Sequence, residues 1–403
     1  MKSRSENSRK PESRTVAAVL IAVALIAASC VIRYRGLNFV SWDMKGFGLV
    51  WYDYISEHGL WNSLRDPFSN YTPPYLYLIG LATLTKSFLS RILAIKAISL
   101  VCDVFNAWII YRIVGLKYDK PHIPIIAGSV AFILPTAVLN SAYWGQVDAL
   151  YTAFLLTCLY FLLRDRPGWG IFFFSVGMSI KLQAFFLLPF LVVLTFRKKI
   201  AWKYYLLIPL VYLILVLPAA LAGRPLLDLL TIYLQQADNT NLMSRNAGNP
   251  YIFMPVTGQI RIFSYVIDFP PYLIYLLLLA VALTIALWIF LTVKRTALEK
   301  PGQLLLAALA SLSLMPYILP RMHDRYFYPA DIFSLVVAFY IPRLWFLPIL
   351  FQIGSCLVYD NYFFGTKYRY LEFALLANSI ALAFILWNQL RKTKSPAAAR
   401  GAA

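Results

Sequence analysis

Apolar runs of sixteen to twenty-four residues recur between positions 15 and 390, and short basic clusters separate them. A helix of about 20 apolar residues crosses a bilayer. Only helices and closed barrels satisfy their own backbone in lipid, and runs of this length are helical. The pattern predicts an all-α polytopic membrane protein. With spans at roughly 15–33, 92–115, 122–140, 147–163, 168–182, 184–196, 203–221, 270–293, 302–319, 325–341, 344–359 and 370–390, every second loop is basic. The clusters led by Arg112, Arg164, Arg197, Lys294, Arg343 and Arg391 then face the cytoplasm, as do both termini. Segment 73–89 breaks this parity if it spans fully. It reads as a short helix re-entering from, or lying on, the outer surface, with a thirteenth span as the alternative, so the bundle has about 12–13 transmembrane helices.

Composition agrees with that class: 60% of the 403 residues are hydrophobic and 14% are charged. The net charge of +19 would suit nucleic acid, but its Lys and Arg lie between apolar runs, so a nucleic-acid partner is excluded. Cys30, Cys102, Cys158 and Cys356 show no paired spacing and read as small buried residues, with neither disulfide nor zinc implied. The basic start and first apolar run resemble a signal peptide, but the run's length and the spans that follow make it a retained anchor. Tails 1–14 and 395–403 read as disordered, leaving 15–394 as a single membrane domain. Neither an internal repeat nor a nucleotide-binding glycine loop is visible.

The outer loops collect the unusual residues. The first, 33–91, carries Asp43 and an amphipathic stripe, Met44, Phe47, Val50, Trp51, Tyr54, Ile55 and His58, that predicts an interfacial helix. Tyr71 and Tyr75 flank a Pro-Pro pair in the same loop. Later loops present Tyr143, Trp144, Gln146 and Asp148, then Lys181 and Gln183. The long loop 223–268 is rich in amides and holds Gln235, Gln236, Asp238, Asn239, Asn241, Arg245, Asn246 and Asn249. It reads as a lid over substrate or as a plain connector. A further loop brings Arg321, His323, Asp324, Arg325 and Tyr326. Ionisable residues near membrane depth are costly, and their gathering on one face marks a site. Asp103 lies too deep in a span for that site and reads as a paired packing residue.

An Asp just after the first span, an interfacial helix, a Pro-Pro aromatic segment, Tyr143-Trp-Gly-Gln-Val-Asp148 and His323-Asp-Arg-Tyr-Phe-Tyr-Pro329 together resemble the GT-C class of polyprenyl-phosphate-sugar-dependent glycosyltransferases. The chain is most similar to bacterial relatives of the glycosylphosphatidylinositol mannosyltransferases, over about 33–329. The resemblance implies a GT-C-like bundle in the cell inner or plasma membrane. It implies a polyprenyl-phosphate-linked sugar donor, and a lipid, glycan or protein acceptor met at the periplasmic or extracellular face. The loop carboxylate of that class corresponds to Asp43, as base or as orienter of the acceptor.

Chemistry supports the same roles. An acceptor hydroxyl must lose its proton as it attacks the anomeric carbon, and a carboxylate within reach can take it. The leaving group is already a phosphate, so it needs cations more than an acid. Arg321 and Arg325 are candidate phosphate ligands because a guanidinium forks onto two oxygens, and Lys181 and Arg245 extend the set. His323 is a candidate donor to phosphate or sugar, and Asp148 and Asp324 are candidate orienting carboxylates. Tyr71, Tyr75, Tyr143, Trp144, Gln146, Gln183 and Tyr326 are candidates for sugar or prenyl contacts. The sequence names no cofactor for certain, and a divalent cation is left open because the carboxylate spacing is not diagnostic. A transporter or flippase of lipid-linked glycans is the alternative, but it would place ionisable residues at the midplane on broken helices.

Overall fold

The computed structural model describes residues 3–237, 242–254, 256–262, 265–268, 270, 272–365 and 370–391. Asp238, Asn239 and Asn241 of the long loop, and the tail 395–403, lie outside the described residues. Among those described, seven helices are long and apolar enough to cross a membrane, or eight if one bent pair is a single span. Four shorter apolar helices, Asp148–Leu163, Pro167–Ile180, Leu182–Phe196 and Tyr328–Tyr340, fall where further spans were expected. The protein is thus an all-α polytopic membrane protein.

The helices divide by what they face. Trp202–Leu221 and Leu273–Arg295 are each 17% buried and turn apolar side chains outward, whereas Pro301–Ile318 is 72% buried. In lipid the exposed apolar surface is itself solvated, so only the inner helices form a packed core. That core is centred on Asp148–Leu163, packed against Arg91–Gly115 and Pro167–Ile180, with Tyr328–Tyr340 behind it. The first helix, Ser3–Gly36, packs on His122–Ile133. Arg33 NH1 meets Asp103 Oδ2 at 2.6 Å, so Asp103 is paired, as expected for a charge held in a span.

Breaks in these helices position the site. His122–Ile133 and Pro135–Trp144 bend by 48° at Leu134, whose φ of −50° and ψ of 130° leave the helix. The cause is Pro135, since a residue before proline avoids the helical region. Pro167–Ile180 ends at Lys181, which is extended at φ −149° and ψ 129°, and a tight turn, Leu182–Leu187, follows. The Thr72 hydroxyl donates to the carbonyls of Ser179 at 2.7 Å and Ile180 at 3.2 Å, satisfying that helix end.

Segment 73–89 forms the helix Pro73–Thr83, eleven residues and about 16 Å long. It packs against Leu49–His58, the helix predicted from the amphipathic stripe. A π-helical turn, Met44–Gly48, precedes Leu49–His58 and rotates the stripe from its expected face. Met44, Trp51, Tyr52 and Ile55 are buried, while Phe47 and Val50 are exposed. Four short strands were not anticipated. Ser244–Arg245 pairs in parallel with Met322–His323, and Gln259–Ile262 pairs antiparallel with Tyr265–Asp268.

Candidate functional site

Asp43 is held by the chain on both sides of it. Lys96, fully buried, donates to the carbonyls of Gly36 at 2.8 Å, Phe39 at 2.6 Å and Ala142 at 2.6 Å. It thereby ties the link after the first helix to the π-helical turn Leu139–Trp144. Ser41 bonds the Trp144 carbonyl at 2.7 Å and accepts from the Met44 N–H at 3.0 Å. The Asp43 N–H meets the Tyr362 hydroxyl at 3.0 Å. Gly145, at φ 74°, closes the turn, and a Cβ there would meet Met44 Cε at 2.2 Å. The Met44 methyl could shift aside, but the left-handed φ itself favours glycine, and this turn aims Trp144 and Gln146 at the carboxylate.

Three donors converge on one oxygen of Asp43. Oδ2 accepts from Trp144 Nε1 at 2.8 Å, Gln146 Nε2 at 2.5 Å and Arg325 NH1 at 3.2 Å. Among the described residues Oδ1 accepts no hydrogen bond, and the side chain is 25% exposed. The carboxylate is therefore fixed in direction with one oxygen left for a ligand.

Asp148 stands behind it, fully buried in the first turn of its helix, where a negative charge is favoured. Its side chain serves tertiary partners. Oδ1 pairs with Lys181 Nζ, and Oδ2 accepts from Asn140 Nδ2 at 2.9 Å, with Arg325 Nε at 3.6 Å. Arg325 thus joins Asp43 to Asp148, and its guanidinium lies 5.5 Å from the centre of the Trp144 ring. Burial would weaken that cation, but the carboxylates of Asp43 and Asp148 push its pKa well above the usual value. Asp324, 3.8 Å away, is pushed up to about 7, chiefly by burial and against the pull of Arg325.

The parallel strand pair sets the far wall. It places Arg245 beside His323, with the Arg321 N–H on the Met243 carbonyl at 2.7 Å and the Asp324 N–H on the Arg245 carbonyl at 3.0 Å. Asn246 and Arg321 flank the pair at φ 66° and 63°, a conformation that costs non-glycine residues energy and clusters at functional sites. Arg245 NH1 lies 3.1 Å from His323 Nε2. A guanidinium only donates, so Nε2 accepts and the ring proton sits on Nδ1. Burial and the nearby Arg325, Arg245 and Lys181 push the His323 pKa down to about 2, so the ring is neutral.

These parts surround a cavity of about 540 Å³, lined by Lys181, Arg224, Arg245, His323 and Arg325 on its polar side. Phe47, Trp51, Phe68, Tyr71 and Tyr326 form its aromatic side, and Gln183 and Gln235 also reach it. No Asp or Glu lines it among the described residues. The size is that of a small-ligand site. Several sequence candidates sit elsewhere. Tyr75 is buried in the core, and Tyr143 packs against Phe39 and bonds the Ile32 carbonyl. Trp144 is fully buried with Tyr362 stacked on it at 3.9 Å, so it orients Asp43 and has no face open to a sugar. Arg321 does not line the cavity. Arg224 escaped the sequence reading, although a cation in the predicted loop 223–268, like Arg245, could have flagged it. Among the described residues no group of three His, Cys, Asp or Glu side chains is placed to hold a metal, since each aspartate turns to Arg325 instead of a common centre.

Fold and site thus define a multi-pass membrane protein with a cation-lined cavity between broken helices. The family is narrower: the chain belongs to glycosyltransferase family 87, whose family model matches residues 68–320. It is a membrane glycosyltransferase. No curated protein matches the chain. The matched stretch includes Asp148, Lys181, Arg224 and Arg245, while Asp43 and the 323–325 cluster lie outside it.

Proposed function

We propose that the chain transfers a hexose, mannose favoured, from a polyprenyl-phosphate sugar to a hydroxyl of a lipid, glycan or protein at the extracytoplasmic face. Asp43 acts as the base. The observation that carries this reading is the partly exposed carboxylate of Asp43, whose Oδ1 accepts no hydrogen bond among the described residues, tied through Arg325 to a cavity walled by cations and aromatic rings. The acceptor oxygen attacks the anomeric carbon as its proton passes to Asp43. The bond from that carbon to the phosphate oxygen breaks, and the polyprenyl phosphate leaves with the electron pair. Attack opposite the leaving group inverts the anomeric centre. The aromatic side of the cavity suits a sugar face or the first prenyl units.

Purified protein incubated with radiolabelled polyprenyl-phosphate sugars and a membrane-lipid extract tests the reading directly. Transfer from a mannosyl donor is expected. Absence of transfer from any lipid-phosphate donor, with a nucleotide sugar consumed instead, would overturn the donor assignment.

A further inference from the structure

The cations around the cavity fall into two sets. Lys181 pairs with Asp148, and Arg325 bridges Asp43 and Asp148, so carboxylates already engage both. Arg245 meets the neutral ring of His323. Arg224 differs from all of these. It is only 4% exposed, it lines the cavity, and its Nε has no hydrogen-bond partner among the described residues. Asp228 is near enough for its charge to be felt but forms no ion pair with it among those residues.

The local backbone presents Arg224 there by construction. Gly223 takes φ 109°, open to glycine at no steric cost, and the Arg224 N–H closes the preceding helix on the Ala219 carbonyl at 3.1 Å. A buried donor left unsatisfied costs about 1–3 kcal/mol, and more when it is charged. Such a cost is offset when a ligand brings the acceptor.

We propose that Arg224, with Arg245 in the same wall, holds the phosphate group of the substrate, while Arg325 and Lys181 hold the carboxylates. The lipid nature of the phosphate's carrier rests on the reading above; the phosphate contact itself does not. The charges match the reaction. A glycosyl phosphodiester carries a single negative charge, and the departing monoester gains another as the bond to the sugar breaks. Cations without carboxylate partners are free to stabilise that added charge.

The test titrates the full chain in nanodiscs with polyprenyl phosphate, with GDP-mannose and UDP-glucose, and with inorganic pyrophosphate. Wild type is compared with Arg224→Met and Arg224→Lys. Polyprenyl phosphate is expected to bind at least tenfold more weakly to the Met variant, with partial recovery in the Lys variant. The ligand-free Met variant should melt at the same temperature as wild type or higher, because an unmet buried charge is gone. Binding of the nucleotide sugars alone, lost in the same way, would keep the role of Arg224 and overturn the lipid donor. Equal affinity in wild type and Met variant, no binding of any phosphate probe to wild type, or a lower melting temperature of the ligand-free variant would each overturn the assignment.

Discussion

Two arginine–aspartate pairs tie remote parts of this chain together, and they are built in opposite ways. Arg33–Asp103 lies within the spans and is closed on every side by protein. NH1 meets Asp103 at 2.6 Å and Ser141 Oγ at 2.5 Å, Nε meets Ser29 Oγ at 3.2 Å, and NH2 meets the Phe132 carbonyl at 2.9 Å. Tyr328 adds a longer contact at 3.4 Å to the other Asp103 oxygen. Arg325–Asp43 lies at breaks between helices, is longer at 3.2 Å, and ties a cation that lines the cavity to a carboxylate with one oxygen that accepts no hydrogen bond among the described residues. Lipid supplies no hydrogen bonds, so a pair held there must be closed by the protein. Beside a cavity between helix breaks an open valence can instead meet a ligand. An ion pair is thus a closed joint in one place and an open arrangement in the other.

Asp43→Asn separates the two roles most sharply. The amide keeps the shape but cannot accept the acceptor's proton. We expect kcat to fall by roughly 10²–10⁴-fold, the usual contribution of a general base. The melting temperature should move little, because the side chain is partly exposed. Transfer at the wild-type rate by a folded Asn variant would remove Asp43 from the chemistry.

Arg33→Met attacks the joint. Removing one partner of a buried pair strands the other and typically costs about 3–5 kcal/mol. We expect a large drop in melting temperature in detergent, with kcat of the surviving folded fraction preserved. Replacing both partners, Arg33→Met with Asp103→Leu, should recover most of the loss, since well-packed apolar groups often substitute for such a pair. A double variant no more stable than the single one would show that the pair contributes more than closure.

The membrane class and the short helix after the Pro-Pro pair were legible in the sequence. Apolar run length and charge placement report them directly. The parallel pairing of Ser244–Arg245 with Met322–His323 was not legible, because two-residue strands leave no periodic trace and their partners are about 78 positions apart. The rotated stripe was hidden for a related reason: the π-helical turn Met44–Gly48 shifts the face by a residue, and a strict 3.6-residue period cannot register it. The sequence marked Trp144 and Gln146 as candidates for substrate contact, whereas both hold Asp43, a task that depends on the left-handed turn at Gly145. Residue type alone does not tell a sugar platform from a buried orienting ring.

Trp144→Phe probes that orienting task at a smaller scale. It removes one of three donors on Asp43 Oδ2 while keeping most of the packed ring. A hydrogen bond to a charged group is worth about 1.5–3 kcal/mol. Because the remaining donors retain the carboxylate, we expect kcat to fall by roughly tenfold, with KM for the donor little changed. A rise in KM with kcat intact would mean that Trp144 contacts substrate instead.

A pH dependence is expected from Asp324, and its sign is set by burial. Its carboxyl is pushed from 3.8 up to about 7 in the folded protein, chiefly by burial, with Arg325 pulling the other way and Asp43 adding to the rise. Between those values the folded state holds a proton that the unfolded state has released. Stability from this group therefore declines as pH rises from about 4 to about 7, and is level above that. Asp324→Asn removes the titration, so the variant should gain in melting temperature relative to wild type across that interval and keep a constant difference at higher pH. His323 is pushed down to about 2 while the unfolded ring takes a proton below about 6.5, so both proteins lose stability as pH falls below that value and this contribution cancels in their difference. A difference that does not vary with pH would place Asp324 among the ionised carboxylates, and Arg325 would then be shared among three of them in place of the two it bridges most closely.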